Sequence, residues 1–225
     1  MTARGELRVG GLTPLTTIDF PGRLAAVVFC QGCAWRCSYC QNPALLEAGA
    51  PAALRWDDVL AFLGRRQGLL DAVVFSGGEP TLQAQLPAAV EQVHALGFEV
   101  GLHTAGMYPA RLARLLPRLA WVGLDIKAPF HAYDAVTGMP GGAAKARRSL
   151  DLLLAAGVPF ECRTTWDPGL FPASGLEELA DELAGRGVAH WSVQGCRIDG
   201  RPAVGVQPPE VRRLSTRFRE FRWRD

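Results

Sequence analysis

Residues 72–103 read AVVFSGGEPTLQAQLPAAVEQVHALGFEVGLH. Ala72-Val73-Val74-Phe75 is an unbroken apolar run, the pattern of a parallel strand covered on both faces. Gln83–Leu96 carries apolar residues at helical spacing, Gly97 supplies the stop that ends a helix, and Phe98–His103 is a second apolar run. Strand, helix, strand is a βαβ unit, whose two strands lie parallel. Ser76-Gly77-Gly78-Glu79-Pro80 sits at the carboxyl end of the first strand.

The same alternation extends in both directions. Ala25–Cys30, Trp121–Ile126, Val158–Thr164 and His190–Val193 read as further strands. Trp56–Arg66, Pro109–Leu116, Ala144–Ala156, Gly175–Arg186 and Pro209–Phe218 read as helices, with Gly157 and Gly187 again placed between helix and strand. Six units are too few for an eight-unit barrel and suit an open sheet or an incomplete one. In either architecture ligands bind at the carboxyl ends of the strands. That rule predicts one rim made by the cysteine-rich segment after the first strand, Gly77-Gly78-Glu79 after the second, and His103-Thr104-Ala105-Gly106 after the third. Lys127, Arg163 and Gln194 follow on the fourth, fifth and sixth.

The chain has 225 residues, within reach of one domain by the usual prior of roughly 100–200 residues; we read 1–225 as a single core domain flanked by an N-terminal segment 1–22 and a C-terminal helix and strand in 207–225. Apolar residues are 48%, charged residues 20% and net charge +2, which excludes a strongly basic nucleic-acid wrapper and a disordered acidic protein. No apolar run approaches the roughly 18 residues of a membrane span, and no apolar stretch follows Arg4, Glu6 and Arg8 as in a signal peptide. The expectation is a cytoplasmic protein with neither membrane nor direct nucleic-acid partner.

Of six cysteines, Cys30, Cys33, Cys37 and Cys40 crowd together, while Cys162 and Cys196 stand alone. In a reducing compartment such clustering points to metal or redox chemistry rather than disulfides. Cys33-x3-Cys37-x2-Cys40 supplies three thiolates from one loop, and would leave a [4Fe–4S] cubane with one iron lacking a protein ligand. The competing reading is a structural zinc site with Cys30 as fourth ligand, although Cys30 falls inside an apolar strand pattern where a buried thiol is common. Cys162 and Cys196 read as buried thiols, with an auxiliary cluster as the alternative.

These residues resemble the signature of the radical S-adenosylmethionine superfamily, including the aromatic Tyr39 just before Cys40. Leu15-Thr16-Thr17-Ile18-Asp19-Phe20-Pro21-Gly22, Phe29-Cys30-Gln31-Gly32-Cys33 and Cys40-Gln41-Asn42-Pro43 are similar to activating enzymes of glycyl radical enzymes, in particular those of anaerobic ribonucleoside-triphosphate reductase. The resemblance implies a partial (β/α)6 TIM-like barrel. It implies Cys33, Cys37 and Cys40 as cluster ligands and reductive cleavage of S-adenosylmethionine to a 5′-deoxyadenosyl radical, which takes a hydrogen from a glycine of the partner. It also implies a reduced flavodoxin or ferredoxin-type electron donor. Tyr39, Gly77, Gly78, Glu79, Thr104, Asp125, Lys127, Arg163 and Gln194 match cofactor-binding positions, with Asp125 and Lys127 as the catalytic pair.

The residue chemistry is consistent with those roles. Gly77 and Gly78, lacking Cβ, would let backbone approach the aminoacyl end of the ligand, and Glu79 offers an acceptor for its ammonium; by themselves these residues also read as a tight turn. Asp125 and Lys127 share one face of a strand end, as a functional pair or as a plain ion pair. Of 24 basic residues two are lysines, Lys127 and Lys145, so a lysine at the rim draws notice for its compact charge. The third rim segment departs from the family's usual Asp-Thr-Asn-Gly. His103 stands in place of the carboxylate, which puts in doubt a monovalent cation site and leaves His103 to bond the ligand or to pack. His94 and His131 read as surface or helix residues and His190 as the start of the last strand. The six arginines after Gln207, interleaved with Phe218, Phe221 and Trp223, read as an amphipathic helix and strand with a solvated basic face, or as a docking surface. Two other functional readings stay open: a radical enzyme acting on a small metabolite of nucleoside or deazapurine type, and a zinc-stabilised binding module.

Overall fold

β1 (Val9–Thr16) runs antiparallel to β2 (Ala25–Cys30), with register shifts between Val9 and Gly11 and between Thr13 and Thr16. Pro14, which has no N–H to give a ladder, sits near the second shift and fits a strand at the end of a sheet. The structure is a computed structural model that describes residues 5–198, 201–202 and 211–224. After β2 come α1 (Trp56–Gly64), β3 (Ala72–Gly77), α2 (Leu86–Ala95), β4 (Glu99–Thr104), α3 (Pro109–Leu115) and β5 (Trp121–Asp125). There follow α4 (Tyr133–Thr137), α5 (Gly142–Ala156), β6 (Phe160–Trp166), α6 (Ala173–Gly185), β7 (His190–Gly195), the two-residue strands β8 (Arg197–Ile198) and β9 (Arg201–Pro202), α7 (Val211–Ser215) and β10 (Glu220–Arg224).

The sheet order is β1-β2-β3-β4-β5-β6-β7-β10, while β8 and β9 pair separately. The β2–β3, β3–β4, β6–β7 and β7–β10 ladders are parallel. Each expected strand and helix is present, with ends moved by a few residues; the first residues of the expected helix Pro209–Phe218 lie outside the described residues. β1, the short α4 and the two-residue β8 and β9 are additions, while β10 falls in the segment 207–225 where a strand was expected.

The chain divides into two compact units: residues 1–34, 42–104 and 110–122 form the first, residues 35–41, 105–109 and 123–225 the second. In the first, β2 and β3 are buried along nearly their whole length. Ala25, Val27, Ala72, Val74, Phe20 and Trp121 make one core cluster. A Cβ on Gly101 would sit 3.0 Å from Phe20 and 3.2 Å from Val74, so the small residue in β4 makes room for Phe20. Behind this sheet portion, Trp56 of α1 contacts Phe75 at 6.1 Å between ring centroids. Full burial of such side chains stabilises by roughly 1.5–3 kcal/mol each.

In the second unit α5 buries Ala146, Leu150 and Leu153, and α6 buries Leu176, Leu179, Ala180 and Leu183. Gly157 ends α5 in the left-handed conformation at φ 69°, as its sequence position predicted. Near the C-terminus Phe218 is buried and Phe221 and Trp223 are half-buried: Phe218 and Phe221 pack on Trp191, and Trp223 packs on Trp166. Arg217 pairs with Asp181 at 2.6 Å and Arg224 with Glu161 at 3.2 Å. The arginine-rich segment thus carries α7 and β10. Among the described residues no helix is long and apolar enough to cross a membrane.

Candidate functional site

The first unit carries Cys33, the Gly77-Gly78-Glu79 loop and Thr104. Parallel register pairs Cys30 with Gly77, so the cysteine loop and the glycine loop leave adjacent strands at the same level. A Cβ on Gly77, whose φ is 115°, would lie 2.4 Å from the Cys30 nitrogen; one on Gly78 would lie 2.3 Å from the Gly32 oxygen. Gly78 N–H donates to the Cys30 carbonyl at 3.0 Å and Glu79 N–H to the Gly32 carbonyl at 2.8 Å. The missing Cβ atoms of the two glycines admit the backbone at Cys30 and Gly32. Gly32 N–H and Cys33 N–H donate in turn to the Leu45 and Leu46 carbonyls, at 2.8 and 3.1 Å.

Glu79 is fully buried. Its Oε1 accepts from Thr81 N–H at 3.0 Å, from the Thr81 hydroxyl, and from the Thr104 hydroxyl at 2.7 Å. Arg111 Nη1 donates to the Thr81 carbonyl at 2.9 Å and also to that of Leu82, clamping the turn that follows Glu79. Thr104 therefore touches Glu79, a relationship the sequence did not signal. His103 donates from Nε2 to the Asp19 carbonyl at 2.8 Å and meets the Trp121 ring edge-on at 5.5 Å, which is the packing role.

The second unit carries Cys37, Tyr39, Cys40, Asp125, Lys127, Arg163 and Gln194. Its share of the cysteine loop hangs on α4: Arg36 N–H donates to the Thr137 carbonyl at 3.0 Å and Ser38 N–H to that of Val136 at 3.4 Å. Asp125, at the end of β5, accepts through Oδ1 from Arg163 Nε and Nη2 at 3.1 and 2.9 Å, and through Oδ2 from Lys127 at 3.3 Å. The carboxylate is thus shared between two cations. Lys127 Nζ lies 5.7 Å from the Tyr39 ring centroid, within cation–π range. Burial opposes the Lys127 charge, yet the facing Tyr39, Asp125 and Cys37 carry its pKa well above the ordinary lysine value. Gln194 donates to the Thr165 hydroxyl at 3.1 Å.

The other cysteines behave as apolar residues. Cys30, Cys162 and Cys196 are buried. Burial pushes the Cys30 thiol far up, with Glu79 adding to the effect, and burial does the same to Cys162. Cys30 lies fully buried within the apolar run of β2, as its strand pattern predicted. Among the described residues no three His, Cys, Asp or Glu side chains gather where one metal ion could be held.

A sulfonium nucleoside with an amino-acid tail needs a carboxylate for its ammonium and polar partners for its carboxylate, sugar and base. In the first unit Glu79 is such a carboxylate, and in the second Lys127 and Arg163 are such cations. Tyr39 Oη is buried without a hydrogen-bond partner among the described residues, the condition of a group that lacks its partner. The side chains that each unit carries have the chemistry such a ligand calls for.

Comparison with known proteins decides the family. The model of the radical SAM superfamily matches residues 27–183. This chain belongs to that superfamily. A protein of Methanocaldococcus jannaschii named as a glycyl-radical enzyme activating enzyme is 31% identical over 182 residues, covering 76% of this chain and 73% of its own. The pyruvate formate-lyase-activating enzyme of Clostridium pasteurianum is 33% identical over 158 residues, covering 66% of this chain and 62% of its own. Among solved structures, Streptococcus suis SuiB bound to S-adenosylmethionine superposes with a TM-score of 0.61 at 15% identity, over 83% of this chain and 44% of SuiB. The chain spans less than half of SuiB, and that likeness concerns the fold.

The radical SAM chain is therefore an enzyme of the glycyl-radical activating group, with the partial (β/α)6 TIM-like fold expected for it. The zinc-stabilised binding module is set aside by that membership.

Proposed function

We propose that this radical SAM enzyme installs a glycyl radical on a partner enzyme, an anaerobic ribonucleoside-triphosphate reductase, using a [4Fe–4S] cluster held by Cys33, Cys37 and Cys40. The observation that carries the reading is the Cys33-x3-Cys37-x2-Cys40 loop leaving β2 directly beside the Gly77-Gly78-Glu79 loop leaving β3, in a chain whose similarity to an activating enzyme extends over 76% of its length. When bound, the cluster and S-adenosylmethionine supply the chemistry: one electron from a reduced flavodoxin or ferredoxin-type donor breaks the sulfonium carbon–sulfur bond, giving methionine and, after a hydrogen atom leaves the partner's glycine, 5′-deoxyadenosine and a glycyl radical.

The protein's part is orientation, which avoids reorganisation at the moment of reaction. Glu79, steadied by Thr81 and Thr104, presents its carboxylate to the ligand's ammonium. Asp125, Lys127, Arg163 and Gln194 offer an acceptor and three donors to the nucleoside and to the incoming main chain. Tyr39 supplies an aromatic wall with a hydroxyl seeking a partner. These roles suit a cytoplasmic, anaerobic setting.

The test is anaerobic incubation of the reconstituted enzyme with reductant, S-adenosylmethionine and a glycyl-radical reductase. The reading predicts a glycyl radical on the reductase, seen by electron paramagnetic resonance, and 5′-deoxyadenosine in matching amount. Efficient turnover of a nucleoside precursor with no protein partner would instead support the small-metabolite reading.

A further inference from the structure

Tyr133 is fully buried in the second unit. Its hydroxyl accepts from Lys127 N–H at 3.3 Å and donates to the Asp125 carbonyl at 3.3 Å. Lys127 lies beyond the end of β5 at Asp125, so the tyrosine stands in for a ladder partner at the turn that aims both side chains. The ring of Tyr133 meets Trp35 edge-on at 5.7 Å and stacks with Phe130 at 5.7 Å. Trp35 is buried in the cysteine loop. The Tyr133 carbonyl accepts from the Thr137 hydroxyl at 2.8 Å, and Thr137 in turn accepts from Arg36 N–H. One helix thereby grips the loop bearing Cys37 and Cys40 and the turn bearing Asp125 and Lys127.

We propose that Tyr133 is a positioning residue: its hydroxyl fixes the Asp125–Lys127 turn in register with the cysteine loop, so that the Lys127 ammonium is held at its working position. The proposal rests on the functional reading above for what Lys127 does, and on geometry alone for how Tyr133 holds it. A buried hydroxyl that bridges a donor and an acceptor leaves both unsatisfied when removed, whereas the phenyl ring of Tyr133→Phe keeps the packing on Trp35.

Two measurements decide it. In the wild-type chain the Lys127 amide, although outside the strand ladder, exchanges slowly with solvent; in Y133F it exchanges roughly tenfold faster, the size of one buried hydrogen bond. Y133F reconstitutes with as much iron as wild type but releases 5′-deoxyadenosine roughly tenfold more slowly, and on a Lys127→Met background the same change has no added effect. An unprotected Lys127 amide in the wild type, unchanged exchange in Y133F, or an equal loss in both backgrounds overturns the proposal. If the wild type releases no 5′-deoxyadenosine, the functional reading falls and the exchange rates alone decide whether Tyr133 holds the turn.

Discussion

The hydroxyl of Thr104, the last residue of β4, donates a 2.7 Å hydrogen bond to the buried carboxylate of Glu79 in the loop after β3. Two neighbouring strand ends are thus tied through one oxygen, and that oxygen also takes both donors of Thr81. Removing one donor leaves a buried carboxylate with less support, at a cost of about 1–3 kcal/mol. Thr104→Val is expected to weaken S-adenosylmethionine binding by roughly tenfold while leaving iron content unchanged, and Thr104→Ser to restore most of it. Equilibrium binding to the reconstituted enzyme checks this; unaltered affinity in the valine variant would show that Glu79 does not depend on Thr104.

The glycine loop makes a sharper claim. A methyl at Gly78 has backbone oxygen of Gly32 at 2.3 Å and of Leu45 at 3.0 Å, and neither can rotate away. Gly78→Ala is expected to destabilise by at least about 2 kcal/mol through backbone displacement and to impair cluster loading, because the displaced segment leads into Cys33. Gly64→Ala, in α1 with nothing within 4 Å of the added carbon, is the control and is expected to be neutral or slightly stabilising. Denaturant midpoints and iron content on both variants separate the two cases.

Much of this was legible in the sequence, for identifiable reasons. The buried strands read as continuous apolar runs because both faces are covered, and Gly157 marked the end of α5 because only glycine takes that conformation freely. β1 escaped notice because Gly10, Gly11 and Pro14 break its pattern and most of its residues are half-buried or exposed. α4 is too short to show a period. The contact of Gly77 and Gly78 with the backbone at Cys30 and Gly32 was not legible, since a close approach of one's own backbone and that of a ligand leave the same mark in sequence. The Glu79–Thr104 and Tyr133–Lys127 contacts join residues whose pairing no local pattern encodes. The place of His103 against Asp19 and Trp121 likewise depends on tertiary packing.

Buried thiols give the fold an alkaline limit. Burial raises the Cys162 thiol far above its ordinary value near 9, with Glu161 and Asp125 adding to the effect. The unfolded chain therefore releases this proton first. The stabilisation is complete below about pH 9 and declines as pH rises past it, by about 1.4 kcal/mol per pH unit for each such thiol. Cys162→Ala is expected to flatten the stability profile of the reduced, metal-free protein between about pH 9 and 10. Parallel profiles for wild type and variant would contradict this.

Metal and nucleoside analysis of the anaerobically reconstituted enzyme bears most directly on the three-cysteine cluster. With reductant and S-adenosylmethionine, the wild type should hold about four irons with matching sulfide and release 5′-deoxyadenosine. Cys37→Ala should lose both properties, and Cys30→Ala should keep both. A colourless protein containing zinc or no metal, or a Cys37→Ala variant that releases 5′-deoxyadenosine as the wild type does, would contradict the mechanism.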